Sequence, residues 1–308
     1  MEKKGQILKI LREKKQVVSG EVLSAALGVS RVAIWKHIRK LQEFGYHIVS
    51  TPKGYRLESS PDALFSWEFV GRESKIHYFP VVTSTMDIAR DLARRGCPDF
   101  TIVIAGRQEK GRGRLKRNWV SSEGGLYFTL VLRPRIPPVL SARVNFAASL
   151  ALSLTLRKRF NIDARVKWPN DLLVDNRKIA GILSEMEAEA DRITFINVGI
   201  GINVNNDPPS GEPLACSLKG LLGKEISRNE LLAEFLEIFE NRIHNEALDD
   251  VISEWKRYTL TLNRPVRIVT TRETTEGLAL DVDENGSLVI ELADGSTKKI
   301  SHGDCFHT

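Results

Sequence analysis

Residues 111–119, Gly-Arg-Gly-Arg-Leu-Lys-Arg-Asn-Trp, crowd Arg112, Arg114, Lys116 and Arg117 around two glycines. Glycine lets the backbone bend and approach a ligand closely, and so much positive charge in a kinked polar segment suits an anion rather than a core. No Gly-Lys-Ser/Thr closes the run as in a P-loop, and no third glycine opens a helix as in the dinucleotide fingerprint. Taken alone, it reads first as a solvated basic turn. Its company argues for a binding loop.

That company is spread along the chain. Lys167-Trp168-Pro169-Asn170-Asp171 puts an ammonium, an amide and a carboxylate beside a proline that prevents regular structure. Residues 178–185 read as a strand that begins with Lys178, a residue that at a strand start is usually solvated. The stretch 193–204 alternates with period two: Ile196, Val198, Ile200, Ile202 and Val204 point one way, and Asn197, Gly199, Gly201 and Asn203 point the other. A face of glycines and asparagines packs a core badly but lets a ligand lie on the sheet. Ser84 or Thr85 caps a helix carrying Ile88, Ala89, Leu92 and Ala93. The stretch 101–105 reads as a buried strand leading to Gln108 and then to the basic loop.

These groups need elements to position them, and the periodicity predicts three regions. In the first, amphipathic helices at 6–15, 22–27 and 31–44 are punctuated by Ser19, Gly28, Ser30 and Gly45, followed by strands at 46–50 and 54–57. Two helices joined by Gly28-Val29-Ser30 make a helix-turn-helix, and the strand pair with its 51–53 turn makes a wing. On the third helix Ile34, Ile38 and Leu41 face inward, while Ser30, Arg31, Lys36, His37, Arg39 and Lys40 are the candidate DNA contacts. Small and polar residues at 58–62 mark a linker. An α/β region follows, with a strand at 126–132 and a long apolar helix at 145–160. From residue 264 short strands separated by Asn285-Gly286 and Asp294-Gly295 suit a small β-barrel of SH3 type. The expected domains are therefore 1–60, 61–262 and 263–308, in an α+β multidomain chain.

With 308 residues, 45 Lys and Arg against 39 Asp and Glu, and a net charge of +6, the chain is long enough for several cores and basic enough to permit phosphate or nucleic-acid ligands. No apolar run approaches the roughly 20 residues of a membrane span, and the first residues lead into an amphipathic pattern, so a cytoplasmic protein without a membrane partner is expected. Cys97, Cys216 and Cys305 stand too far apart for a metal knuckle or a paired framework, and the six histidines show no ligand spacing.

Four motifs in order resemble biotin protein ligases: the glycine-arginine loop with its trailing tryptophan, the 167–171 cluster, Arg177-Lys178-Ile179-Ala180-Gly181-Ile182-Leu183, and the stretch 199–205. With the winged helix in front, the chain is similar to the bifunctional type that is both ligase and biotin-responsive repressor. The resemblance spans all three regions and implies a class II synthetase-like ligase domain between a winged helix-turn-helix and an SH3-like C-terminal domain.

It also implies a reaction, biotin–[acetyl-CoA-carboxylase] ligation. The biotin carboxylate attacks the α-phosphate of ATP, and a lysine of a biotin carboxyl carrier protein then attacks the resulting biotinyl-5′-AMP. No enzyme nucleophile is needed, so catalysis rests on positioning and charge stabilisation. By resemblance Ser84, Thr85, Met86 and Gln108 surround biotin, and Arg112, Gly113 and Arg114 fold over biotin and phosphate. Lys178 reaches the carboxylate or the α-phosphate, so Lys178, Arg112 and Arg114 are the candidate catalytic groups. Trp119 offers a face to adenine, Asn170 and Asn203 offer amides to the nucleotide, and Asp171 helps to hold Mg²⁺. The loop is expected to be mobile until biotinyl-AMP orders it, promoting a homodimer that presents two recognition helices to a two-fold operator.

The chain departs from the family pattern at four positions. Lys116 stands where another glycine is common, Met86 where asparagine is common, Cys216 for a usual threonine, and Trp35 for a polar residue of the recognition helix. The last means that an operator sequence does not carry over. A biotin sensor without catalysis would not need the nucleotide-facing set of Lys178, Arg112 and Asn170. An octanoyl-transfer enzyme would need an activated cysteine, and Cys216 has no base beside it in sequence.

Overall fold

The computed structural model describes residues 2–208, 214–244 and 248–307; the side chain of Lys116 lies outside the described residues. Packing divides the chain into two compact units, one comprising residues up to Tyr78 with Ser227–Asn229, the other Phe79–Ile226 with the chain from Glu230 on.

The first unit contains helices α1 (Lys3–Lys14), α2 (Gly20–Leu27) and α3 (Arg31–Glu43) and the antiparallel pair β1 (His47–Thr51) and β2 (Gly54–Ser59). Local chemistry explains the helix boundaries. The Ser19 and Ser30 hydroxyls accept from the Val22 and Ala33 amides at 3.2 Å each, and Gly28 ends α2 in the left-handed conformation. Ile34, Ile38 and Leu41 are buried as expected, with Ile7, Leu8, Leu11 and Leu23. By packing this unit runs on past residue 60. Phe65 stacks on Trp67 at 4.5 Å between ring centroids, and the Trp67 indole N–H donates to the Tyr46 hydroxyl at 3.0 Å within the same core. Glu68 accepts from Arg12 at 2.9 Å and from the Tyr46 hydroxyl. A polar linker composition at 58–62 therefore does not mark the end of the packed unit. Trp67→Ala should remove about 3–5 kcal/mol of this unit's stability. An unchanged denaturant midpoint in the full chain would show that the ring is not part of the core.

In the second unit, β3 (Ile76–Val82), which begins in the first, leads to α4 (Thr85–Arg94), β4 (Thr101–Gln108) and β5 (Leu126–Leu132). Helix α5 (Ala142–Phe160) follows, then strands β6 (Arg165–Lys167), β7 (Asp171–Val174), β8 (Arg177–Glu189) and β9 (Arg192–Ile202). Their order in one seven-stranded sheet is β3-β4-β5-β9-β8-β7-β6. Register and alternation fix its two faces. Thr129 lies opposite Gly199, and Leu183 is paired with Gly199, so these share a face. Thr129 bonds to Thr85 of α4, whereas Phe128, one residue away, packs its ring against Phe235 at 5.5 Å. Phe235 belongs to α7 (Arg228–His244), which follows the short α6 (Leu218–Leu222); α8 (Val251–Lys256) comes next and packs on α5. One face thus carries α4 and the binding groups, and α7 covers the other.

Two expectations need correction here. Pro138–Phe160 is long and apolar enough to cross a membrane, contrary to the expectation that no run approaches such a length. More than half of its apolar window is buried inside the fold, with Val144, Ala148, Leu152 and Leu156 fully covered, which is the pattern of a core helix. The C-terminal region also has one strand more than the sequence suggests. Strands β10 (Pro265–Val269), β11 (Thr274–Val282), β12 (Leu288–Glu291), β13 (Thr297–Ile300) and β14 (Asp304–His307) form an antiparallel sheet in the order β13-β12-β11-β10-β14. Asn285-Gly286 and Asp294-Gly295 do make its turns, each glycine having a positive φ. This sheet belongs to the same compact unit as the seven-stranded one, and the indole N–H of Trp168 donates to the Gly286 carbonyl at 3.0 Å.

Candidate active site

The basic loop is held by its own backbone before any side chain acts. The Trp119 amide donates to the Gly111 carbonyl at 2.9 Å, and the Gly113 amide donates to the Arg117 carbonyl at 2.8 Å. Between them the chain makes a 3₁₀ turn at Arg114–Lys116 in which Leu115 has φ +50°. This closed hairpin-like loop presents its arginines to different oxygen partners. Arg112 pairs with Asp87 at 3.0 Å and with Glu185, and Arg90 pairs with Asp87 at 2.8 Å. Arg114 donates to Asn170 Oδ1 at 3.2 Å and to the Gly303 carbonyl at 3.1 Å. Burial pulls the Arg114 guanidinium below its ordinary pKa, against the opposing influence of Asp304 and Asp171. Arg117 pairs with Asp304.

Lys178, the second residue of β8, lines the same cleft. Its Nζ is 2.8 Å from Asp171 Oδ1 and 5.3 Å from the centroid of the Trp119 ring. Asn170 is fixed from both ends, donating to the Ile182 carbonyl at 2.7 Å while it accepts from Arg114. The Trp-Pro-Asn turn between β6 and β7 therefore presents Asn170 and Asp171 side by side, one toward the loop and the other toward Lys178.

The glycine face of the sheet takes its meaning from these neighbours. A Cβ on Gly201 would stand 2.4 Å from Trp119 Nε1, one on Gly181 2.9 Å from Trp119 Cζ3, and one on Gly199 2.5 Å from the Met86 sulfur. The sequence assigns that face to a ligand; in the folded chain the indole of Trp119 and the thioether of Met86 already lie against it. Side chains at 181 or 201 would displace the indole, and one at 199 the thioether. Among the described residues, the buried indole N–H of Trp119 has no hydrogen-bond partner.

Thr85, Met86, Gln108, Arg112, Gly113, Arg114, Trp119, Asn170, Asp171 and Lys178, all expected at a site, line this single cleft. Gln108 is locked: its Oε1 accepts from the Thr85 amide at 2.8 Å and from the Thr85 hydroxyl at 3.0 Å, and its Nε2 donates to the Ser121 hydroxyl at 2.9 Å. Ser84 and Asn203 are not among the lining residues. Ser84 occupies the N-cap position of α4, but its side chain caps no amide; among the described residues its buried hydroxyl has no hydrogen-bond partner, while the Thr85 amide beside it donates to Gln108. Asn203 follows the end of β9, is buried, and accepts from Asn206 Nδ2 at 3.1 Å.

Asp304 also lines the cleft, from β14, and the sequence contains no sign of it. An acid after a glycine in a short terminal strand has no pattern linking it to a loop nearly two hundred positions earlier. Among the described residues no group of three or more His, Cys, Asp or Glu gathers to hold a metal ion; Asp171 itself lies beside Lys178.

On α3, Arg31, Lys36, Arg39 and Lys40 are exposed. Arg31 pairs with Glu21 at 3.4 Å and Lys40 with Glu43 at 3.0 Å, while the Ser30 hydroxyl is engaged as the helix cap. His37 is not brought to that outer surface. It is half-buried, and burial first, then Lys4, lower its pKa.

Comparison with known proteins agrees with these features. The Biotin/lipoate A/B protein ligase family profile matches residues 78–205, an HTH domain profile residues 3–56, and the Biotin protein ligase C terminal domain profile residues 261–308. The Bifunctional ligase/repressor BirA of Bacillus subtilis (strain 168) is 36% identical over 304 residues, covering 94% of this chain and 93% of the relative. That of Escherichia coli (strain K12) is 31% identical over 299 residues, covering 93% and 91%. Among solved structures, biotin protein ligase from Aquifex aeolicus in complex with biotin and ATP aligns with a TM-score of 0.64 at 28% identity, over 76% of this chain and 99% of that one. The chain belongs to the biotin protein ligase family, in its bifunctional ligase and repressor form.

Proposed function

We propose that this cleft joins biotin to AMP and then passes biotin to a lysine of the biotin carboxyl carrier protein of acetyl-CoA carboxylase. The observation that carries the proposal is the convergence of Lys178, Arg112 and Arg114 on one glycine-floored cleft beside a tryptophan face. An oxygen of the biotin carboxylate attacks the α-phosphorus of ATP, and pyrophosphate leaves with the bonding electrons. The amine of the carrier lysine then attacks the biotinyl carbonyl, and AMP departs. Neither step needs a nucleophile from the enzyme, so its contribution is orientation and charge.

Lys178, Arg112 and Arg114 are the groups proposed to meet the carboxylate and the α-phosphate. Each has an oxygen partner in the cleft, and an anionic ligand would exchange that partner for one of its own. Thr85, Met86 and Gly113, with the hydroxyl of Ser84 and the locked Gln108, are proposed around biotin. Trp119 is proposed as the stacking face for adenine, with Asn170 and Asn203 toward the nucleotide. Magnesium would arrive on the nucleotide phosphates and needs few protein ligands, a demand that one carboxylate, Asp171, fits. Bound there, the ion would add positive charge at the phosphates.

The exposed cations of α3 support the second half of the function. Arg31, Lys36, Arg39 and Lys40, with Ser30 at the helix start, are proposed to contact the operator, and His37 is proposed with them through its exposed part. Biotinyl-AMP is proposed to settle the basic loop and promote a homodimer that fits a two-fold operator, in the cytoplasm where ATP and the carrier protein meet. Ligand that strengthens neither self-association nor DNA binding would refute the repressor half.

The experiment for the ligase half is biotin-dependent exchange of pyrophosphate into ATP, followed by ATP-dependent labelling of a carrier domain. No exchange would leave a sensor, and exchange driven by lipoate or octanoate would name a different acid. An acyl-cysteine route is disfavoured by Cys216, whose thiol burial pushes up to about 11, leaving it protonated through the neutral range. Cys216→Ser is accordingly expected to keep biotin transfer within about 2-fold of the parent, since the thiol makes one weak contact, to the Arg177 carbonyl at 3.5 Å. Loss of carrier labelling with exchange intact would revive the cysteine route.

A further inference from the structure

The outer surface of α3 is not only cationic. Val32 and Trp35 are 63% and 49% exposed, on a helix whose inner face is already filled by Ile34, Ile38 and Leu41. With Lys36 and Arg39 they recur at i, i+3, i+4 and i+7, so the four make one stripe. The Arg39 guanidinium lies 5.5 Å from the Trp35 ring centroid, which gives the exposed indole a defined neighbour. Val32 and Trp35 also line a groove of about 630 Å³ whose far wall is the wing, from Ser50 to Tyr55. Glu21 is the one carboxylate among the residues lining it, and Arg31 pairs with it.

A base pair presents one apolar group in the major groove, the C5 methyl of thymine. We propose that Val32 and Trp35 read thymine methyls in the operator, making an apolar specificity element within the cationic footprint. The proposal rests on the DNA-binding reading above. Both residues sit in the first two turns of α3, the part of a recognition helix that reaches base edges. Their flanks carry Arg31, Lys36 and Arg39, a neighbourhood that complements phosphate rather than an apolar protein partner. Cations on phosphates position the helix without selecting sequence, so a separate element has to discriminate.

The test uses the full-length chain with biotin and ATP. Selection from random duplexes should yield a two-fold site with thymine in each half. Replacing thymine by uracil at each position in turn removes only the methyl, and the unmodified protein should lose about 3–10-fold in affinity at one or two positions per half-site and nothing elsewhere. In Trp35→Ala and Val32→Ala that penalty should shrink or vanish, with the thermal midpoint reporting that the winged helix is still folded. Uracil tolerated at every position, or a penalty that persists in both variants, overturns the proposal while leaving operator binding intact. A chain that selects no sequence overturns the DNA-binding reading beneath it. If Trp35→Ala instead weakens self-association and leaves the methyl penalty untouched, the patch serves a second copy of this chain and the proposal falls.

Discussion

Lys178→Ala is expected to slow biotin-dependent pyrophosphate exchange by about 10²–10³-fold, the usual consequence of removing one preorganised group from a site of developing charge. The ammonium stands in the cleft, 2.8 Å from Asp171 and over the Trp119 ring. It is a compact charge on a flexible stem, able to leave Asp171 for a ligand oxygen without moving the strand that carries it. Lys178→Arg should not restore activity, because a planar guanidinium is wider than an ammonium and the space is bounded by the indole and the carboxylate. Asp171→Asn should do less, about 10-fold, since it frees the lysine from its partner and leaves its charge in place. Biotin affinity measured separately distinguishes charge stabilisation from binding: a fall in the rate of exchange larger than the fall in affinity is expected. Lys178→Ala retaining more than about a third of the exchange rate would remove this residue from the proposed chemistry.

What could be read from the sequence follows the range of the interactions involved. Ser19, Ser30 and Gly28 act within three or four residues of themselves, so the helix-turn-helix is legible to within a residue or two. Trp67 completes the same unit from beyond a polar stretch, and no local signal announces that its ring reaches Tyr46. The basic loop declares its charge through residue types alone, but which oxygen each arginine meets depends on three distant parts of the chain. Asp304 was invisible for the same reason. Ser84 shows the opposite error: a serine before a helix reads as a cap, yet in the fold its hydroxyl bonds no helix amide and, among the described residues, lies buried without a partner.

The glycine face was legible as a place kept open, though its occupants were not, and that distinction sets the second large effect. Gly201→Val would put a Cβ within 2.4 Å of Trp119 Nε1, so the indole would have to move off the sheet. The ring would lose its seat on the sheet and its place 5.3 Å beneath the Lys178 ammonium. If Trp119 is the face on which adenine stacks, nucleotide affinity should fall by about 10–100-fold, since stacking of a base on an aromatic ring is worth roughly 1–3 kcal/mol. Biotin binding measured without ATP should change much less, because Thr85, Met86 and Arg112 keep their partners. Trp119→Ala removes the platform without crowding the strand and should reproduce the nucleotide defect. A Gly201→Val protein that binds ATP normally would mean that the indole serves the fold alone. Equal losses for biotin and ATP would point instead to a collapsed cleft, with the thermal midpoint falling in parallel.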